Sequence, residues 1–122
     1  MRLTLKNTPP SLNKFAGREN SWEYRNTKLI WTEEVCWASK PYRPTTPYEH
    51  ASVTITYYFL TRARHDADNY CGKFLLDGLT KAGIIADDDM KHITLTIKVE
   101  YDKANPRTVI EVTETERRQI NA

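Results

Sequence analysis

Long apolar segments are absent from this chain of 122 residues. No run approaches the roughly 20 apolar residues that a membrane-spanning helix needs, and the first residues lack the charged and then apolar pattern of a secretory signal. The only two cysteines, Cys36 and Cys71, are too few for a disulfide framework and do not have the spacing of a zinc site. These absences predict a cytoplasmic protein that has no membrane partner.

Internal repeats and low-complexity stretches are also missing, and the length suits one domain rather than two. The composition, with 39% hydrophobic and 28% charged residues, is ordinary for a protein with a buried core. We therefore expect a single domain over residues 1–122, with the polar residues from about 115 onward fraying from it.

The net charge of +2 hides an uneven distribution. Residues 1–64 contain ten Lys or Arg against five Asp or Glu, whereas residues 65–122 contain eight against eleven. The basic half could contact a polyanion while the acidic half binds a bridging cation. Charge asymmetry alone is equally compatible with a solvated surface.

Alternation of apolar and polar residues predicts four strands, over residues 2–6, 52–60, 93–101 and 108–113. Helices are predicted over 21–39 and 68–81, with Gly83 ending the second. The turn at Asn105-Pro106 makes the last strand a predicted hairpin partner of the strand before it. The expected fold class is α/β, or α+β-like: one small mixed sheet of about four strands with two main helices packed on it.

The most informative feature is a set of six aspartates on both sides of the second predicted helix: Asp66, Asp68, Asp77, Asp87, Asp88 and Asp89. Carboxylates gathered around one short element repel each other unless a cation neutralises them. Oxygen-rich clusters are the ligands that Mg²⁺ prefers. Because Arg62 and Arg64 precede the first pair, the segment suggests chemistry on a phosphate backbone.

Simpler explanations exist for each aspartate. Asp66 or Asp68 could cap the second helix, although one cap needs only one carboxylate. The run from Asp87 to Asp89 could be a solvated turn, and Lys73 with Asp77 is an ordinary helix pair four residues apart. A calcium-binding loop is excluded, because Tyr70 and Cys71 stand where a ligand and a glycine are required.

Together these residues resemble the RusA family of Holliday junction resolvases. The similar segments are Asp66-Ala-Asp68-Asn69, Lys73, Asp77-Gly-Leu79 and Asp87-Asp88, and Pro9 to Lys14 resembles the family's N-terminal motif. The resemblance covers most of the chain, and its densest part lies between residues 62 and 88. It implies a RusA-like nuclease domain that forms a homodimer and resolves four-way DNA junctions by paired, symmetric nicks.

Carried over by position, the resemblance implies that Asp66, Asp68 and Asp88 bind Mg²⁺, which Mn²⁺ could replace, with no small-molecule cofactor. Lys73 would assist catalysis, and Asp77 and Asp87 would support the site. Nucleic-acid contacts are expected from basic and amide side chains, namely Asn13, Lys14, Arg18, Arg62, Arg64 and Asn69. Arg43 could add to them.

Lys73 departs from the family pattern, because it follows Asn69 by four residues rather than three. One extra residue rotates a helical side chain by about 100°. Either the helix begins at a different residue or Gly72 absorbs the insertion.

Two other functions remain open from the sequence. Asp89-Met90-Lys91, with Asp77 upstream, could form the core of a restriction-type metal nuclease, although that core requires its Asp-x-Lys on a strand. The chain could also be a DNA-binding relative without catalytic activity.

Overall fold

The chain folds into a four-stranded mixed sheet with two helices packed on it, an α+β architecture that confirms the predicted fold class. The computed structural model describes residues 1–10, 21–62, 72–89 and 91–116. In chain order the elements are β1 (Arg2–Lys6), α1 (Trp22–Ser39), a short 3-10 helix (Lys40–Tyr42), β2 (Ala51–Phe59), α2 (Lys73–Lys81), β3 (Ile93–Tyr101) and β4 (Arg107–Glu114).

The strand order across the sheet is β1-β4-β2-β3. β3 lies parallel to β2, whereas β4 is antiparallel to both β2 and β1. The predicted β3–β4 hairpin is therefore wrong, because β2 lies between the two strands. Burial explains the arrangement: β4 buries Val109, Ile110 and Val112 in the sheet centre, whereas β3 leaves Leu95 and Val99 exposed at the edge.

The predicted apolar face of β2 is confirmed, since Val53, Ile55, Tyr57 and Phe59 are all buried. The apolar side of α2, which includes Leu75, is buried in the same core. Burial of these side chains is the main stabilising contribution, at roughly 25 cal/mol per Å² of apolar area. The two helices therefore pack on the sheet through one shared core.

Helix α1 begins after Ser21, whose hydroxyl accepts a hydrogen bond from the Tyr24 amide at 3.2 Å. The predicted bounds of this helix are confirmed to within one residue. Its buried side is formed by Val35, Cys36 and Ser39. Among the described residues, no helix is long and apolar enough to cross a membrane.

Helix α2 begins at Lys73, five residues later than predicted. Gly72 occupies the N-cap position with a φ of 76°, a left-handed backbone that glycine adopts without steric cost. The cap is thus a glycine and not an aspartate. Gly83 follows the helix with a φ of 79°, as expected of the predicted C-terminal stop.

The two helices approach each other closely at Gly78. A Cβ atom at this position would lie 2.6 Å from Val35 Cβ and 2.7 Å from the Thr32 carbonyl oxygen. The Thr32 hydroxyl donates to the Phe74 carbonyl at 3.1 Å, and the Phe74 ring meets the Tyr24 ring edge to face at 5.6 Å. These contacts fix α2, and with it the polar side chains at its start, against α1.

Candidate functional site

The acidic loop after α2 starts from a backbone bridge between Tyr48 and the residues around Ile85. The Tyr48 amide donates to the Ile84 carbonyl at 2.9 Å, and the Ala86 amide donates to the Tyr48 carbonyl at 2.9 Å. Ile84 and Ile85 are fully buried, so the chain leaves the core directly before Asp87. The aspartates of this loop are therefore held near α2 by backbone bonds and core packing.

Asp88 has a raised pKa, chiefly because the surrounding protein removes water from its carboxylate. A hydrogen bond with Asp87 and the negative charges of Asp77 and Asp87 also raise this pKa, whereas the positive charge of Lys73 lowers it. Charges affect each other in this way only over short distances. The charges of Lys73, Asp77 and Asp87, three residues that the sequence singled out, therefore act on the Asp88 carboxylate.

Asp77 is positioned by α1 as well as by its own helix. Its Oδ2 atom lies 3.7 Å from the Nζ atom of Lys28, and both side chains are partly exposed. Lys28 was not among the sequence candidates, because a pairing between two separate helices leaves no spacing signal in the chain. The polar side of α2 is consequently flanked by two lysines, Lys28 and Lys73.

Asp89 serves as a turn residue, as the sequence indicated. Its Oδ1 atom accepts hydrogen bonds from the amides of Lys91 and His92, at 3.0 and 3.1 Å. The same atom lies 2.5 Å from His92 Nδ1, and this contact lowers the pKa of Asp89 and raises that of His92. β3 begins only at Ile93. Asp89 and Lys91 therefore lie before the strand and do not form the Asp-x-Lys strand of a restriction-type core.

A second group of potential ligands is present at the surface. Asp87, Asp89 and His92 each offer one atom, and these atoms lie within 4.8 Å of one another. His92 was not among the sequence candidates, although its spacing of three residues from Asp89 in a turn could have indicated the contact. Because His92 already pairs with Asp89, and lies 3.8 Å from Glu49, this group has an internal structural explanation.

Several predicted site residues lie outside the described part of the chain, namely Asp66, Asp68, Asn13, Lys14, Arg18, Arg64 and Asn69. Arg62 is described, and its guanidinium lies over the Tyr101 ring at 3.6 Å, at the ends of β2 and β3. Arg43 lies beside Gly83, where a Cβ atom would be 3.2 Å from Nε. The site described by the structure is therefore the part contributed by α2 and the following loop.

The position of Lys73 follows from the residue at which α2 begins. Of the two possibilities left open by the sequence, a later start of the helix agrees with the left-handed backbone at Gly72. Lys73 is the first helical residue and directly follows the left-handed turn at Gly72. The charge of Lys73 acts on Asp88 from this position.

Comparison of the chain with known protein families finds no family model that matches it, and no curated protein matches its sequence.

Proposed function

We propose that this protein is a divalent-cation-dependent endonuclease that cuts branched DNA, with a four-way junction as the preferred substrate. The observation that carries this proposal is that the charges of Lys73 and Asp77, both on α2, act on the Asp88 carboxylate in the acidic loop. The resemblance of the sequence to RusA resolvases supports the choice of substrate.

The donor set fits a hard cation. Asp88 is a carboxylate whose ionised form is disfavoured by partial burial and by nearby Asp77 and Asp87. A bound cation would relieve this repulsion, and carboxylate oxygens are the ligands that Mg²⁺ prefers. Asp66 and Asp68 would complete the ligand set. When bound, Mg²⁺ would lower the pKa of a water molecule and stabilise charge on the phosphate.

The side chains of the protein would divide the remaining work. Asp88 would fix the position of the cation relative to α2. Lys73 would neutralise the scissile phosphate, since it is the first residue of α2 and its charge acts on Asp88. Asp77 would hold Lys28 near this surface through their ion pair. Recognition of a junction would depend on shape and phosphate contacts rather than on base edges.

Cleavage of a synthetic four-way junction tests the proposal. We expect paired nicks with Mg²⁺ and none with EDTA, while linear duplexes of the same arms stay intact. Asp88→Asn should reduce cleavage by at least about a hundredfold, as expected for loss of a metal ligand. Lys91→Ala is the matched control and should cut normally, because Lys91 lies in the turn before β3.

Two results would contradict the proposal. Junction binding without nicks at any Mg²⁺ or Mn²⁺ concentration would indicate a DNA-binding relative. Loss of cleavage in Lys91→Ala, with activity kept in Asp88→Asn, would indicate the restriction-type alternative. Binding itself should weaken steeply as salt rises, since phosphate contacts release counterions.

A further inference from the structure

β1 lies at one edge of the sheet, next to β4. In the part of the chain that the structure describes, no strand pairs with the outer side of β1. The main chains of Met1 and Val112 exchange two hydrogen bonds, of 3.0 and 2.9 Å. Because only every second residue of an antiparallel strand bonds to its neighbour, the N–H and C=O groups of Arg2, Thr4 and Lys6 point outward.

An open groove of about 600 Å³ runs along this edge, between β1 and the C-terminal half of α1. Apolar and acidic side chains line it, namely Leu5, Trp37, Ala38, Glu33 and Glu34. Glu33 forms an ion pair with Lys81, and Lys40 lies over the Trp37 ring, with 3.9 Å between Nζ and the centroid. Two ammonium groups therefore balance the two carboxylates, and the indole of Trp37, which is 65% exposed, is the main apolar surface offered by the helix.

The two sides of β1 differ in chemistry. Leu3 and Leu5 are buried in the core on the side of the helices, whereas Arg2, Thr4 and Lys6 are exposed on the other side. A strand added at this edge would alternate in the same way. Every second side chain would enter the apolar groove, and the others would lie next to the two basic side chains, where opposite charges stabilise a cross-strand pair.

We infer that this edge binds an extended segment of another protein, in which apolar residues alternate with acidic ones, as an added strand antiparallel to β1. Unpaired edge strands bind peptides in this way, with main-chain hydrogen bonds for affinity and alternate side chains for specificity. The main chain of Thr4 exchanges two hydrogen bonds with the central acidic residue of the segment. The flanking apolar residues enter the groove and pack on Trp37.

The charges on β1 select against a second copy of the chain at this edge. Two copies of β1 paired antiparallel about Thr4 would set Lys6 of each copy opposite Arg2 of the other, and like charges directly opposite each other destabilise a pair of strands. Lys6 already lies opposite Arg107 of β4. An acidic segment has the complementary charge and meets no such repulsion.

Fluorescence anisotropy of a labelled peptide of about eight residues, alternating glutamate and valine, tests the inference on the full chain. We expect it to bind at least about tenfold more tightly than a peptide in which all the glutamates precede the valines. Methylation of the glutamate amides should abolish binding, because those N–H groups bond to β1. Methylation of the valine amides should be tolerated, since in an antiparallel pair these amides point away from β1.

Three variants of the protein test the same contacts. Thr4→Pro should abolish binding and leave the fold intact, because proline removes only an outward N–H group. Lys6→Glu should weaken binding of the glutamate peptide about tenfold and strengthen binding of an alternating lysine and valine peptide. Trp37→Ala should weaken binding at least about fivefold, as expected for an aromatic anchor in a groove. Circular dichroism and urea unfolding verify that each variant is folded.

Two matched controls should bind the glutamate peptide like the unchanged protein, to within about threefold. Lys98→Glu makes the same charge change at an exposed position on β3, the opposite edge of the sheet. Trp22→Ala removes an equally exposed tryptophan at the other end of α1.

Four results would overturn the inference. They are equal binding of the alternating and block peptides, tolerance of methylated glutamate amides, unchanged binding by folded Thr4→Pro, and loss of binding in Lys98→Glu. Sedimentation velocity without peptide covers the remaining occupant: a dimer that Thr4→Pro dissociates would assign the edge to a second copy. None of these outcomes bears on cleavage, so the peptide site and the proposed nuclease can fail separately.

Discussion

Lys28 on α1 and Asp77 on α2 form an ion pair between the two helices, with 3.7 Å between Nζ and Oδ2. The side chains are 42% and 28% exposed, so solvent screens the attraction. Pairs of this kind stabilise proteins by about 0–1 kcal/mol. The pair therefore positions Asp77 beside the acidic loop but contributes little to the contact between the helices.

Lys28→Gln should accordingly have a small effect on stability. We expect the free energy of unfolding in urea to fall by less than about 1 kcal/mol, because only a screened ion pair is lost. High salt should produce a similar small loss in the unchanged protein and none in the variant. A loss of several kcal/mol would mean that the ion pair holds the helices together.

Gly78→Ala should destabilise the protein much more. Alanine favours an isolated helix over glycine by about 1 kcal/mol, which would predict a gain. The new Cβ atom would, however, lie 2.6 Å from Val35 Cβ and 2.7 Å from the Thr32 carbonyl oxygen. Overpacking of this kind costs about 1–3 kcal/mol, so urea unfolding should show a net loss. A more stable Gly78→Ala protein would disprove the close approach of the helices.

Most of the fold follows from alternation and capping signals in the sequence. β2 reads clearly because Val53, Ile55 and Tyr57 share one buried face. The order of the strands could not be predicted from these signals. A turn such as Asn105-Pro106 suggests that β3 and β4 form a hairpin, regardless of which of the two strands is more apolar. β4 joins the centre of the sheet since its burial outweighs the local turn preference.

The candidate site is only partly visible in the sequence. The spacing of Lys73 and Asp77 places both on one side of α2, and Asp88 lies in the loop between α2 and β3. The left-handed turn at Gly72 and the partner Lys28 could not be predicted, because both depend on contacts between distant parts of the chain. The role of Asp89 as a turn residue was visible in the sequence. The contact of its side chain with the His92 ring was not, because that contact depends on the folded geometry of the turn.

Gly72→Ala should destabilise the protein and disturb the start of α2. The φ of 76° disfavours any side chain, and a Cβ atom would lie 2.6 Å from the Ile55 Cδ1 atom. Strain of this kind costs about 1–3 kcal/mol. Gly72→Asn is the informative control, because asparagine tolerates the left-handed backbone but has the same Cβ atom. Equal losses in both variants would assign the effect to packing against Ile55, and no loss in either would contradict the assigned turn.

Histidine 92 should make stability depend on pH. The hydrogen bond that the His92 ring donates to the Asp89 carboxylate, with the negative charges of Asp89, Asp87 and Glu49, raises the pKa of His92 above its ordinary value of 6.5. The stabilisation of the folded state by protonated His92 is therefore complete below pH 6.5 and is lost as the pH rises through the raised pKa. The pKa of Asp89 is lowered by the same contact. The contribution of Asp89 is present above its ordinary pKa of 3.8 and is lost as the pH falls through the lowered value.

His92→Asn tests this dependence. We expect the free energy of unfolding in urea to be greater at about pH 5.5 than at about pH 8.5 in the unchanged protein, because the pair is formed at the lower pH. The variant should show a smaller difference between the two pH values. Titration of the His92 ring by NMR should give a midpoint above 6.5 that falls in Asp89→Asn. An identical pH dependence in the variant would show that the pair does not stabilise the fold.

Asp88→Asn should raise stability in the absence of divalent cations and remove the stabilisation that Mg²⁺ provides. Since the pKa of Asp88 is raised by burial and by its acidic neighbours, its ionised form opposes folding above that pKa. The neutral amide removes this repulsion, so the melting temperature should rise slightly. Mg²⁺ that binds only the folded state raises the melting temperature of the unchanged protein by mass action, and the variant should not respond.

Asp89→Asn is the matched control for this measurement. Asp89 accepts bonds from the amides of Lys91 and His92, so its loss should lower stability without divalent cations. The response to Mg²⁺ should nevertheless persist, because Asp88 remains. The opposite pattern, a response kept in Asp88→Asn and lost in Asp89→Asn, would place the cation at the group formed by Asp87, Asp89 and His92. Asp88 and Asp89 are neighbours of equal charge, so the comparison separates ligand chemistry from general electrostatic attraction.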